Sequence, residues 1–109
     1  MYYTHSFDRW HHRRGRGGYT IAADFDMGTV GIAVCSKKDD FCKKTGRKKA
    51  VKRMNETPMI APNFFTIRAP HVESRWALRE RADAVLDALE MIVSKFPNAD
   101  VHLTYGDSK

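Results

Sequence analysis

The chain has 109 residues, 42% of them hydrophobic and 11% aromatic, and a formal net charge of +6. This composition is typical of one small globular domain and excludes a fibrous, low-complexity or multidomain organisation. No apolar run approaches the roughly 20 residues that span a bilayer, and the N-terminus lacks the pattern of a secretory signal. Two cysteines are too few for a disulfide framework. We therefore expect a soluble, unexported protein with no membrane partner.

Residues 1–18 are predicted to form a basic arm rich in Arg, Gly and His, ahead of a single α/β domain over residues 19–109. Arginine can bond phosphates bidentately and stack on bases, and the neighbouring glycines allow close approach. The residues of the arm that we assign to nucleic-acid or partner binding are Arg9, Trp10, Arg13, Arg14 and Arg16. Two alternatives stay open: a poorly ordered terminus, and a leading strand over residues 1–10.

A β-hairpin and a helix are predicted next. Apolar residues alternate over 19–25 and again over 30–34, with a Gly-containing break between them, and this period of two is typical of a hairpin. Ser36 precedes Asp39 in an S-x-x-D arrangement, which predicts a helix N-cap and a first helix from about Lys37 to Met54. Cys42, Gly46, Ala50 and Met54 recur every four residues, so this narrow stripe would let the helix lie close to a sheet.

The second half of the chain is predicted as strand, helix and strand. Residues 64–67 form a short apolar run between Pro62 and Pro70, and residues 101–105 alternate again. Between them, apolar residues at spacings of three and four predict a helix whose packed side contains Leu78, Ala82, Val85, Leu86, Leu89, Val93 and Phe96. The order is a β-hairpin followed by αβαβ. Right-handed crossovers would place both helices on one face of a four-stranded mixed sheet, or a five-stranded one if residues 1–10 add a strand.

The first helix carries most of the charge. Residues 37–53 hold nine Lys and Arg against two Asp, a balance of +7, whereas the rest of the chain is close to neutral. Such a block is usually a solvated face, but together with the arginine arm it favours a polyanion or an acidic protein as partner. The residues of this segment that we assign to nucleic-acid or partner binding are Lys37, Phe41, Lys44, Arg47, Lys48 and Lys52.

Catalytic signals are weak. Asp24 and Asp26 alternate onto one face of the hairpin, where two carboxylates could hold Mg²⁺ against a phosphate. Residues 26–34 resemble the D-x-G-T-x-x-x-G-x-A-V opening of ribonuclease-H-like Holliday-junction resolvases, although the second Gly comes too early and no later acidic motif follows. The His and Cys residues lack zinc-ligand spacing. We therefore predict no enzyme activity, no metal and no cofactor, and keep a metal-dependent nuclease as the third hypothesis.

Residues 35–47 read C-S-K-K-D-D-F-C-K-K-T-G-R. This run resembles a C-S-x-K-D-x-F-x-x-K-x-G-R segment of small uncharacterised bacteriophage proteins, including early proteins of T7-like phages. The resemblance implies a phage accessory product in the host bacterial cytoplasm, which binds nucleic acid or blocks a host defence or transcription component. The first hypothesis is therefore a nucleic-acid-binding phage protein. The second is an inhibitor that docks its basic face on an acidic host protein. The sequence does not predict an oligomeric state.

Overall fold

The structure is a computed structural model that describes residues 2–7, 16–40, 43–56 and 63–106. Five strands and two helices occur in these residues. The strands are β1 (Tyr2–Phe7), β2 (Arg16–Asp24), β3 (Thr29–Asp40), β4 (Phe64–Ala69) and β5 (Asp100–Tyr105), and the helices are α1 (Lys43–Glu56) and α2 (Arg75–Lys95). Neither helix is long and apolar enough to cross a membrane.

All five strands belong to one mixed sheet in the order β1-β2-β3-β4-β5. The first three strands pair antiparallel, with Ile21 opposite Ile32 in the β2–β3 hairpin, and β3, β4 and β5 pair parallel. The predicted α/β fold with a mixed sheet and two helices is confirmed. Residues 2–7 supply the leading strand that sequence reasoning left as an alternative to a flexible arm.

The turn of the β2–β3 hairpin also holds β4 in place. Gly28 has a φ of +70°, and a Cβ there would lie 2.7 Å from the carbonyl oxygen of Phe64, so this position requires glycine. The carbonyl oxygen of Gly28 accepts a hydrogen bond from the N–H of Thr66 at 2.9 Å. The hairpin turn is thereby joined to the start of the parallel part of the sheet.

The two helices lie on opposite faces of the sheet, which corrects the prediction that both lie on one face. One hydrophobic cluster joins the large alternating residues of the hairpin, such as Ile21 and Ile32, to Ala88 and Ile92 of α2. The other cluster consists of Ala22, Ala33, Ala50 and Met54, the last two from α1. Because the hairpin buries small side chains on its second face as well, that face also needs a covering element, and α1 supplies it.

Helix α1 begins later than predicted. Residues 37–40 continue β3 instead of forming the first helical turn, and Asp40 lies opposite Arg16 of β2. Ser36 is therefore not an N-cap. Gly18 and Arg16 at the start of β2 lie opposite Cys35 and Asp40, and this pairing on either side of Ser36 outweighs the local capping signal.

Helix α2 is present as predicted but has a different packed side. The Ser74 Oγ accepts a hydrogen bond from the N–H of Ala77 at 3.0 Å, which caps its N-terminus. The buried residues are Glu80, Ala84, Val85, Ala88 and Ile92. Of the apolar residues predicted to pack, Leu78, Ala82, Leu86 and Val93 are exposed instead. The sheet beneath is lined with large side chains, so the alanine face of α2 allows the closest approach.

Candidate functional site

The outer face of α1 is strongly basic. Arg47, Lys48 and Lys52 are exposed, whereas Ala50 and Met54 on the other side of the same helix are buried. The predicted stripe of small residues does face the sheet at Gly46, Ala50 and Met54, while Cys42 lies outside the described residues. The orientation of α1 therefore turns three predicted binding residues toward solvent together.

Very close packing fixes this orientation. A Cβ on Gly31 of β3 would lie 2.0 Å from the carbonyl oxygen of Ala50 and 2.5 Å from the backbone N of Met54. A Cβ on Gly46 would lie 2.5 Å from the Oγ1 of Thr20. Helix and strand backbones are thus in direct contact, and α1 cannot roll about its axis without a clash.

Arg53 of α1 turns inward toward β3. Its Nη1 donates a hydrogen bond of 2.7 Å to the carbonyl oxygen of Ile32, and its side chain is half-buried. This bond ties the last turn of α1 to β3. Arg53 therefore has a structural role.

An open groove runs along the outer face of α1. It is lined by Arg47, Lys48, Val51, Lys52, Asn55 and Glu56. These residues form two neighbouring rows at steps of four, and such rows are the ridges of a helix surface with a groove between them. Sequence reasoning did not assign Asn55 and Glu56, which continue the two rows by one further turn. Val51 adds an apolar floor between the cations.

The other predicted binding residues divide into three groups. Lys44 lies in the first turn of α1, and Lys37 lies on β3 rather than on the helix as predicted. Arg16 begins β2 opposite Asp40, three residues before α1 starts, so the start of β2 lies near the N-terminal end of α1. The remaining predicted residues, which lie outside the described part of the chain, are Arg9, Trp10, Arg13, Arg14 and Phe41.

The carboxylate of Asp24 has a local structural partner. Its Oδ1 accepts hydrogen bonds from the backbone N–H groups of Asp26 at 3.1 Å and Met27 at 3.2 Å, which stabilises the hairpin turn. Asp26 is exposed. Within residues 16–40, 43–56 and 63–106, no three His, Cys, Asp or Glu side chains come together in a group that could hold a metal ion. These contacts support a turn-forming role for Asp24.

No family model, curated protein or solved structure matches the chain. The phage-protein resemblance of residues 35–47 and the resolvase resemblance of residues 26–34 therefore stay hypotheses.

Proposed function

We propose that this protein binds nucleic acid through the outer face of α1. The observation that carries the proposal is the convergence of Arg47, Lys48 and Lys52 on one exposed groove, on a helix whose opposite face is locked onto the sheet. Lysine and arginine at this density neutralise phosphates and release the counterions condensed on them. Val51 offers an apolar surface for a sugar or base between the charges.

The electrostatics of α1 support a polyanionic partner over a merely solvated face. Two lysines occupy its first turn, and no acidic residue does. Positive charge there opposes the helix dipole, which disfavours the free helix. Like charges also recur at a spacing of four residues, and each such pair destabilises a helix by a few tenths of a kcal/mol. The pairs are Lys43–Arg47, Lys44–Lys48, Lys48–Lys52 and Lys49–Arg53. A bound phosphate backbone would relieve this repulsion.

The arginine-rich segment before β2 extends the proposed surface. Arg16 starts β2 at the same end of the sheet where α1 begins, because its strand partner Asp40 is close to Lys43 in sequence. The chain before Arg16 contains Arg9, Arg13 and Arg14. We propose that they contact the same ligand as the basic helix. Taken with the resemblance of residues 35–47, the proposal extends to a phage accessory protein in the bacterial cytoplasm.

The test compares Lys48→Gln and Lys52→Gln with Lys95→Gln, which removes the same charge from an exposed position at the end of α2. Binding of fluorescently labelled duplex DNA, single-stranded DNA and RNA is measured by anisotropy. We expect the two α1 variants to weaken binding several-fold and the Lys95 variant to leave it nearly unchanged. Equal losses in all three variants would mean that only net charge matters, and the assignment to α1 would be wrong.

Two further measurements separate the proposal from its alternatives. The Lys48→Gln variant should be slightly more stable than the wild type at low salt without ligand, since it removes two like-charge pairs. This gain in stability with a loss of binding is the signature of charges retained for a ligand. Capture from bacterial lysate, with and without nuclease treatment, tests the inhibitor hypothesis. A specific protein that stays bound through α1 after nuclease treatment would favour docking on an acidic host protein.

A further inference from the structure

The hydrogen-bond ladder between β3 and β4 stops at Pro70. The N–H of Thr66 donates to the carbonyl oxygen of Gly28, and parallel strands repeat this bond every two residues. The donor for the carbonyl oxygen of Ile32 would therefore be residue 70, but proline has no N–H. Arg53 of α1 fills this place, since its Nη1 donates to the Ile32 oxygen at 2.7 Å. The guanidinium group of Arg53 thus lies where β3 and β4 part, at the carboxyl end of β4.

Arg68 lies beside this point on the same face of the sheet. It is the register partner of Gly31, the residue on which α1 packs. Its neighbours Ile67 and Ala69 belong to the cluster that packs on α2, so the alternation of the strand turns the Arg68 side chain toward α1. The side chain is half-buried, and its Nε is shielded from solvent without a hydrogen-bond partner in the described residues. Enclosing part of a guanidinium group without an acceptor is unfavourable, and a bound anion would offset this cost.

Two further cations lie at the same end of β4. Lys49 precedes Arg53 by about one turn of α1, on the side of the carboxyl ends of the strands, and is exposed. Arg81 reaches from α2: its Nη1 donates to the carbonyl oxygen of Pro70 at 3.1 Å, and its guanidinium group lies 4.1 Å from the centre of the Tyr105 ring. Cations from α1, β4 and α2 therefore lie around the last residues of β4.

Acidic side chains of the described residues leave most of this charge in place. Glu56 ends α1 and Asp100 begins β5, so both lie away from the carboxyl ends of the strands. At 100° per residue, the acidic residues on the flank of α2 turned away from Arg81 are Glu80, Asp83 and Asp87. The carboxylate of Asp87 accepts a hydrogen bond from a tyrosine hydroxyl of β2, which places this flank over β2, whereas Arg81 lies over β5. Glu73, between β4 and α2, is exposed, and the cations outnumber it.

We propose that a terminal phosphate group binds at the carboxyl end of β4, between Lys49 and Arg68 and beside the guanidinium group of Arg53. A carboxylate has one charge and suits a single arginine, whereas a terminal phosphate has nearly two charges and three acceptor oxygens and suits several cations. The connections of the sheet agree with this position. The chain leaves β3 toward α1 on one face and β4 toward α2 on the other, and ligands of open α/β sheets bind outside the carboxyl ends of the strands at such a point.

This site is distinct from the groove on the outer face of α1. Lys49 lies about 160° around the helix from Val51, which lines that groove. The inference therefore does not depend on the proposed nucleic-acid function. The phosphate group could belong to a small phosphorylated molecule or to the 5′ end of a nucleic-acid strand, because both present the same oxygens and charge.

Isothermal titration calorimetry of the whole chain with inorganic pyrophosphate tests the site, with sodium acetate at the same ionic strength as the reference anion. We expect pyrophosphate to bind and acetate not to bind. Arg68→Gln should weaken pyrophosphate binding by about tenfold or more without lowering the melting temperature, since it removes an enclosed donor that has no acceptor. Lys49→Gln, at an exposed position, should weaken it several-fold. Lys95→Gln is the matched control at the far end of α2 and should bind like the wild type.

Labelled oligonucleotides of one sequence, with and without a 5′-phosphate, distinguish the two sources of the group. A preference for the phosphorylated strand that is lost in Arg68→Gln would assign the site to a strand end. Equal binding of the two strands, together with pyrophosphate binding, would assign it to a small phosphorylated molecule. Absence of both pyrophosphate binding and a 5′-phosphate preference, equal binding of acetate, or an Arg68→Gln variant that binds pyrophosphate like the wild type would overturn the proposal. Lys48→Gln should leave pyrophosphate binding unchanged, so this site and the outer face of α1 fail separately.

Discussion

Replacing Gly31 with alanine tests the contact that orients the basic helix. The new Cβ would lie 2.0 Å from the Ala50 carbonyl oxygen and 2.5 Å from the Met54 nitrogen, whereas ordinary contacts begin at 3.4 Å. Both atoms belong to the backbone of α1, so no change of side-chain rotamer relieves the clash. The helix must move away from β3 by more than about 1 Å, which also loosens the buried contacts of Ala22 and Ala33.

The magnitude follows from two opposing effects. Forcing an extra methyl group into a packed core costs about 1 to 3 kcal/mol, and the backbone clash at Gly31 belongs at the upper end of that range. Alanine also reduces the conformational freedom of the unfolded chain, and this offsets about 0.4 to 1 kcal/mol of the loss in stability. We expect a net loss of about 2 kcal/mol. With an unfolding entropy of about 2.1 cal/mol/K per residue, this lowers the melting temperature by about 9 °C.

Thermal and urea unfolding followed by circular dichroism measure this loss. Gly46→Ala is the comparison, because its Cβ meets the side-chain oxygen of Thr20 instead of backbone. Alanine also favours the helix interior by up to about 1 kcal/mol, so this variant should be affected much less. A Gly31→Ala protein as stable as the wild type would refute the placement of α1 on this face of the hairpin, and with it the outward orientation of Lys48 and Lys52.

Other substitutions test single contacts. Arg53→Ala should lower the free energy of unfolding by about 1.5 to 3 kcal/mol by removing the charged hydrogen bond to Ile32, and an unchanged urea midpoint would contradict that role. Ser74→Ala should cost about 1 kcal/mol of stability by removing the N-terminal cap of α2, whereas Ser94→Ala near the other end should cost much less. Equal melting temperatures for the two variants would count against the cap. Incubation with labelled single-stranded, duplex and branched substrates and Mg²⁺ should show no cleavage, and cleavage that is lost in Asp24→Asn and Asp26→Asn would establish the nuclease hypothesis.

Local patterns in the sequence predicted most elements of the fold. The alternation over residues 19–34 predicts the hairpin, and the spacing of three and four predicts α2. The small residues Gly46 and Ala50 correctly predicted a helix lying close to a sheet. These features depend on residues near one another in the chain, which is why periodicity reveals them.

The errors arose where distant segments compete with local signals. Ser36 resembles a helix cap, but β2 pairs with Cys35 and Asp40 on either side of it, and the strand continues. The leucines of α2 are more hydrophobic than its alanines, yet Ala84 and Ala88 are the ones buried against the sheet, because the large side chains of the sheet leave little room. The prediction that both helices lie on one face rested on the usual right-handed crossover between parallel strands. The small residues Ala22, Gly31 and Ala33 were the available sign that the hairpin is covered on both faces.

The candidate site was predictable in part. Arg47, Lys48 and Lys52 were assigned from their place in a basic run, and the structure brings them to one groove. Charge composition reveals such a cluster without knowledge of the fold. The inward orientation of Arg53 depends on a tertiary contact, the hydrogen bond that it donates to the carbonyl oxygen of Ile32. The extent of the groove to Asn55 and Glu56 depends on where the helix ends.

The salt dependence of nucleic-acid binding tests the central claim most directly. If the basic face of α1 neutralises phosphates, log affinity should fall linearly with log salt concentration. Each phosphate contact should contribute about 0.7 to 0.9 to the steepness of this slope. The three cations that line the groove, Arg47, Lys48 and Lys52, would alone give a slope of about −2.7 on duplex DNA. Lys48→Gln should reduce the steepness by about 0.7 to 0.9, and Lys95→Gln should leave it unchanged. A flat salt response, or a slope that Lys48→Gln does not change, would contradict binding through this face.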